Sequence, residues 1–149
     1  MTIIRKAREE EQDTIAVFQQ NLAQETENLQ LDPETVAKGV REVFLHPEMG
    51  YYLIAEADGK VIASSLVLYE WSDWRNGKVL WVHSVFVDAG YRGQGVFKSI
   101  YLHLKNEVLQ NETLKGIRLY VDKTNQPAQE VYLRIGMSRE HYELFEWMP

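Results

Sequence analysis

Three stretches that alternate apolar and polar residues stand in a row: residues 51–57, 60–71 and 78–87. Asp58-Gly59 and the 72–77 turn ending Asn76-Gly77 join them. Such dipeptides between period-two runs encode tight hairpins, so three consecutive antiparallel strands are expected. The pattern then changes. After Gly90, Gly93 and Gly95, residues Val96, Phe97, Ile100, Tyr101, Leu104 and Val108 recur at helical spacing. A strand that passes through three glycines directly into a helix commits the chain to a sheet with a helix crossing its face.

The flanking segments extend that plan. Residues 2–7 read as a first strand and 9–24 as a helix with acids at its start, where the helix dipole favours them. Residues 25–31 form a polar joint. Asp32 followed by Pro33 predicts a helix start, with Val36, Val40, Val43 and Phe44 as its buried stripe. Gly116 opens a strand over 117–121, residues 125–136 form a short helix closed by Gly136, and 137–147 read as a last strand. The order β-α-α-β-β-β-α-β-α-β gives one α/β sheet in a chain of 149 residues, with no linker or repeat.

Composition narrows the function. A net charge of -6 disfavours nucleic acid as a partner. With no cysteine, disulfides, thiolate zinc sites and a cysteine nucleophile are excluded. The N-terminal residues lack the apolar core of a secretory signal, and no apolar run approaches ~18 residues. A cytoplasmic protein without a membrane partner is expected.

The glycine turn suits an anion. The first amides of a helix lack intrahelical partners, and glycine leaves the approach to them open. Two familiar phosphate motifs do not fit. G-x-G-x-x-G would need a glycine where Lys98 stands, and the G-x-x-x-x-G-K-[ST] loop would need its lysine two places before Lys98. A third pattern fits better. Arg92, Gly93, Gln94, Gly95 and Val96 in "YRGQGVF" resemble the [RQ]-x-x-G-x-[GA] acyl-CoA loop of the GCN5-related N-acetyltransferase (GNAT) family. Asn125, Ala128, Tyr132, Gly136 and Met137 resemble its second motif, N-x-x-A-x-x-x-Y-x-x-x-G-[FM]. Phe97 departs from the usual small residue. Its place on the helical stripe is expected to turn the ring into the core and leave its amide to the loop.

The resemblance covers nearly the whole chain. It implies the acyl-CoA N-acyltransferase fold: a single domain over residues 1–149, with one mixed, mostly antiparallel central sheet of six to seven strands and about four helices. It also implies direct transfer of an acetyl group from acetyl-CoA, as cosubstrate and without a metal, to an amine on a small molecule or protein. In that reading the amides from Gly93 through Gln94, Gly95, Val96 and Phe97 to Lys98, with Arg92, hold the pyrophosphate. The backbone of Val85, Phe86 and Val87 pairs with the pantetheine, and Asn125 adds a contact. Tyr132 stands where the family places the acid that protonates the departing thiolate.

The family's strand-four glutamate is missing between Lys78 and Val87. His83 is the candidate base, expected by alternation on the same face as Trp81, Val85 and Val87, with Glu70 and Asp73 as alternatives. Glu25, Glu27, Trp71, Asp73, Trp74 and Arg75 are candidate acceptor contacts, since acids beside tryptophans suit an ammonium. A CoA-binding module without catalysis is the rival reading. A homodimer formed through sheet edges is a further expectation.

Overall fold

The computed structural model describes residues 1–149, which divide into two compact units, Met1–Arg118 and Leu119–Pro149. In the first, β1 (Thr2–Lys6) leads through a 3-10 turn at Glu9–Glu11 into α1 (Gln12–Glu27) and α2 (Pro33–Leu45). Then follow β2 (Gly50–Ala57), β3 (Lys60–Ser72), β4 (Gly77–Val87), α3 (Val96–Gln110) and β5 (Leu114–Leu119). The five strands lie in chain order in one sheet. The first four are antiparallel. β5 follows the α3 crossover and starts beside the start of β4, where the Lys78 amide donates to Thr113 O at 2.8 Å. The sheet is therefore mixed.

Each helix covers a face because its apolar residues demand it. Asp32 caps α2 by accepting from the Thr35 amide at 2.9 Å, and Pro33 opens the first turn, as the sequence predicts. Ile15 and Ala16 of α1 and Val40 and Val43 of α2 bury against Tyr52 and Ile54 of β2. The opposite face carries α3. There Tyr51 donates its hydroxyl to Glu107 at 2.9 Å, and Ile100 and Leu104 are fully buried or nearly so. At the sheet's outer edge Arg5 pairs with both Glu11 (2.6 Å) and Glu56 (2.7 Å), tying β1, the 3-10 turn and β2 together. These bonds hold the Glu11 carboxyl below the ordinary range.

The second unit contains α4 (Gln126–Arg134). Asn125 caps it by accepting from the Ala128 amide at 3.2 Å. Gly136 closes it in the left-handed region (φ 98°), with the Met137 amide donating to Tyr132 O at 3.0 Å. No helix in the chain is long and apolar enough to cross a membrane.

Three expectations need correction. The sheet has five strands, not six to seven, because residues 137–147 form no strand and 138–149 are all exposed. Strand-prone side chains do not make a strand without a neighbour for the backbone N–H and C=O groups. β5 starts at Leu114, with Gly116 inside it. α1 runs on to Glu27, so Glu25 and Glu27 lie on its last turn and not in a loop.

Ile54 is fully buried under α1 and α2. Ile54→Ala is expected to cost about 2–5 kcal/mol, read as a lower urea midpoint at unchanged slope.

Candidate functional site

The strand leading to the glycine turn is not regular. His83 pairs with Leu66 and Phe86 with Ser64, so two residues of β4, Ser84 and Val85, stand against Ser65 alone. Ser84 takes up the extra residue in the left-handed region, at φ 52°. This is a β-bulge, which unpairs backbone groups locally and bends its strand.

The bulge also corrects the alternation. Leu68, Leu66 and Ser64 share one face of β3, so their partners Trp81, His83 and Phe86 share it too. Val87, opposite Ala63, falls on the other face, and so by alternation does Val85. His83 therefore lies beside Phe86, not on the side of Val85 and Val87. Its ring stacks on Trp81 (centroids 6.0 Å apart), and Phe86 meets Phe18 of α1 at 4.8 Å. Partial burial lowers the His83 pKa, so the imidazole is neutral at pH 7.

Past Val87 the chain is tied down at several points. Asp88 accepts from the Gly90 amide (3.1 Å) and from Lys60 (3.2 Å). Gly90 is an ordinary turn residue. Gly93 (φ 74°) and Gly95 (φ 77°) are left-handed, and a Cβ at either would meet only open space. Glycine is used there for its backbone, and the ground above the loop is clear. Gly95 is the N-cap of α3, and no side chain caps that helix. Its N-terminal amides therefore face the loop, the arrangement that receives a phosphate. Val96 is the first buried residue of α3. Phe97, next to it, is partly buried.

Arg92 is engaged within the protein. Its Nε donates to Val87 O (2.8 Å), its Nη2 pairs with Glu25 (2.6 Å), and its guanidinium lies 5.6 Å from the Phe86 ring centre. It joins the end of α1, the end of β4 and the glycine loop. Glu25, expected at the acceptor, is its partner. Gln94 braces the same loop by donating to Gly90 O at 3.2 Å. Lys98 and Glu27 are exposed.

The remaining candidates are not brought to His83. Trp71 pairs with Lys78, five residues along β4 from His83, which is roughly 16 Å of strand, and alternation puts it on the opposite face. Trp71 and Trp74 are 61% and 88% exposed, and Asp73 caps the turn by accepting from the Trp74 amide. Arg75 lies 3.5 Å from Ser72 Oγ. Glu70 is on the His83 face, but it is paired with Arg118 at 3.0 Å. In the second unit, burial raises the Tyr132 pKa, so the phenol holds its proton at neutral pH. No group of three or more His, Asp or Glu side chains is placed to hold a metal ion. The bulge and the Arg92–Glu25 tie escaped the sequence reading. Neither has a local signal, because one depends on strand register and the other joins residues 67 positions apart.

A mixed sheet, a bulge in its fourth strand and an open glycine loop at the next helix are the features of this α/β fold that bear on its class. The model of the acetyltransferase (GNAT) family matches residues 6–137, and the chain belongs to that family. It is similar over its whole length to a possible acetyltransferase from Clostridium difficile 630, at 40% identity and a TM-score of 0.93, covering 98% of that chain. A predicted acetyltransferase with acetyl-CoA from Clostridium acetobutylicum shares the fold, with a TM-score of 0.73 at 18% identity over 97% of this chain and 96% of that one. Mycothiol acetyltransferase of Actinosynnema mirum is 33% identical over 92 residues, 56% of this chain. This chain spans only 29% of that relative's length.

Gly95→Ala creates strain without a clash and is expected to cost about 1–2 kcal/mol. Gly95→Asn should cost less, because asparagine tolerates the left-handed region. Thermal unfolding of the two variants checks the order.

Proposed function

We propose that the protein is an N-acetyltransferase that moves an acetyl group directly from acetyl-CoA to a primary amine. The observation that carries this reading is the bulge at Ser84 followed by the open glycine loop. Together they offer a bent strand end, paired with β3 along one side at Phe86 and Val87, beside a cradle of helix amides. In this reading the amides of residues 93–98 hold the pyrophosphate, the backbone of residues 85–87 lies along the pantetheine, and Asn125 adds a contact. The two units act as one acetyltransferase domain, a reading supported by a family match that runs through both.

The acceptor nitrogen forms a bond to the acetyl carbon while the carbon–sulfur bond breaks. A lysine-like ammonium must first lose its proton, at a cost of about 4–5 kcal/mol at pH 7. His83, neutral at that pH, is the proposed acceptor of that proton, directly or through water. Tyr132 gives its proton to the departing thiolate. A backbone N–H beside the bulge stabilises the developing oxyanion, worth about 3 kcal/mol. Positioning of the two reactants supplies more, up to roughly 7–11 kcal/mol. Glu25 acts by holding Arg92, and the acceptor is an amine of a small molecule or a protein.

A second reading, a CoA-binding module without turnover, draws on two observations. β4 carries no glutamate, and Glu70 is held by Arg118.

Free thiol released from acetyl-CoA across a broad panel of amines separates the two readings. Turnover with at least one amine is expected, and tight CoA binding without any turnover would establish the second reading. Tyr132→Phe is expected to lower kcat at least tenfold and leave the KM for acetyl-CoA within about twofold. If His83 is the base, kcat at saturating amine should hold its plateau as pH falls through ~6.5 and decline only below it, because its pKa is depressed. His83→Gln should remove that limb, and a limb unchanged in the variant would eliminate His83.

A further inference from the structure

We propose that Ser65 is a positioning residue for the acetyl transfer: its hydroxyl holds the His83–Ser84 peptide in the orientation that makes the bulge, and so sets the direction of the backbone groups there. The inference rests on the transfer reading above. Ser65 lies in β3 against Ser84 and Val85, the two residues of the bulge. It is fully buried, and its hydroxyl donates to His83 O at 3.5 Å. Strand interiors favour branched and aromatic side chains, so an enclosed serine in β3 is not there for strand preference. Its hydroxyl reaches a backbone carbonyl that an apolar side chain could not hold.

His83 O belongs to the peptide that ends at the Ser84 nitrogen. That peptide is planar and trans, so its C=O and N–H point in opposite directions. With the oxygen turned to the Ser65 hydroxyl, the Ser84 N–H points away from it. Ser84 stands at φ 52°, a value that a residue with a side chain seldom adopts. Turning the peptide over by half a turn would return Ser84 to an extended backbone and relieve that strain. The same motion would carry His83 O away from Ser65 and leave a buried hydroxyl without a partner. The bond therefore opposes a motion that would erase the geometry of the bulge. Ser64 supplies the contrast. It is as fully buried as Ser65, but its hydroxyl has no hydrogen-bond partner. Two adjacent serines of equal burial thus differ in one bond to β4.

In the free protein, the HN–Hα coupling and carbon shifts of Ser84 measured by NMR report its left-handed backbone. Ser65→Ala is expected to move both toward extended values, while Ser64→Ala and Ser65→Thr leave them as in wild type. If Ser65→Ala does not fold, Ser65→Cys, close in shape but a weak donor, is read by the same signals. With acetyl-CoA and an accepted amine, Ser65→Ala should lower kcat at least tenfold and keep the KM for acetyl-CoA within about threefold, because the geometry it sets acts in the transition state. Ser65→Thr, which keeps the hydroxyl, should retain at least about half of kcat. Ser84 signals unmoved in Ser65→Ala, or moved with kcat unchanged, would overturn the proposal. A wild-type protein that turns over no amine would count against the transfer reading, and the Ser84 signals would still decide whether Ser65 holds the peptide.

Discussion

One extra residue in β4 governs the candidate site. Without it, the β3–β4 ladder would run in one register to Val87. With Ser84 in the left-handed region the ladder slips by one residue, the strand end bends, and Phe86 instead of Val85 turns toward α1. A residue held at positive φ without being glycine is strained. The long pairing of β3 with β4 on the hairpin side of the bulge and the packing of Phe86 on Phe18 hold it there. The site's backbone is shaped by core packing next to it.

Arg92 extends the same logic into the loop. An arginine before a glycine loop invites a role as a phosphate ligand, since its charge and planar donors suit one. Here the side chain reaches back to Val87 O and across to Glu25, so it fixes where the loop starts relative to α1. Both partners are about half exposed, and the ion pair alone contributes little to stability. Its effect is geometric, because one planar group holds three chain segments in a set relation.

The helices, hairpins and glycine turn were legible because each has a local cause. Asp32-Pro33 starts α2, Asp58-Gly59 and Asn76-Gly77 turn the strands, and Gly93 and Gly95 adopt the backbone that only glycine takes easily. The motif around Asn125 and Tyr132 was legible for the same reason. The placement of the acceptor candidates was not. Trp71, Asp73 and Trp74 are neighbours of His83 in composition only. Strand register carries them along β3 to the hairpin tip, and alternation turns Trp71 away. The last strand was read correctly as strand-prone chemistry and wrongly as a strand, because pairing is not a property of a segment alone.

By itself, the sequence determined the family, the element types as far as α4, and the glycine turn, since these follow from periodicity, turn chemistry and motif residues close in the chain. Tertiary structure decided which face His83 shares, which partners Arg92 and Glu25 take, and that the sheet stops at five strands. Each of those depends on register or on contacts between residues distant in sequence. A period-two pattern repeats itself after any whole-residue slip, so it cannot record where a bulge falls.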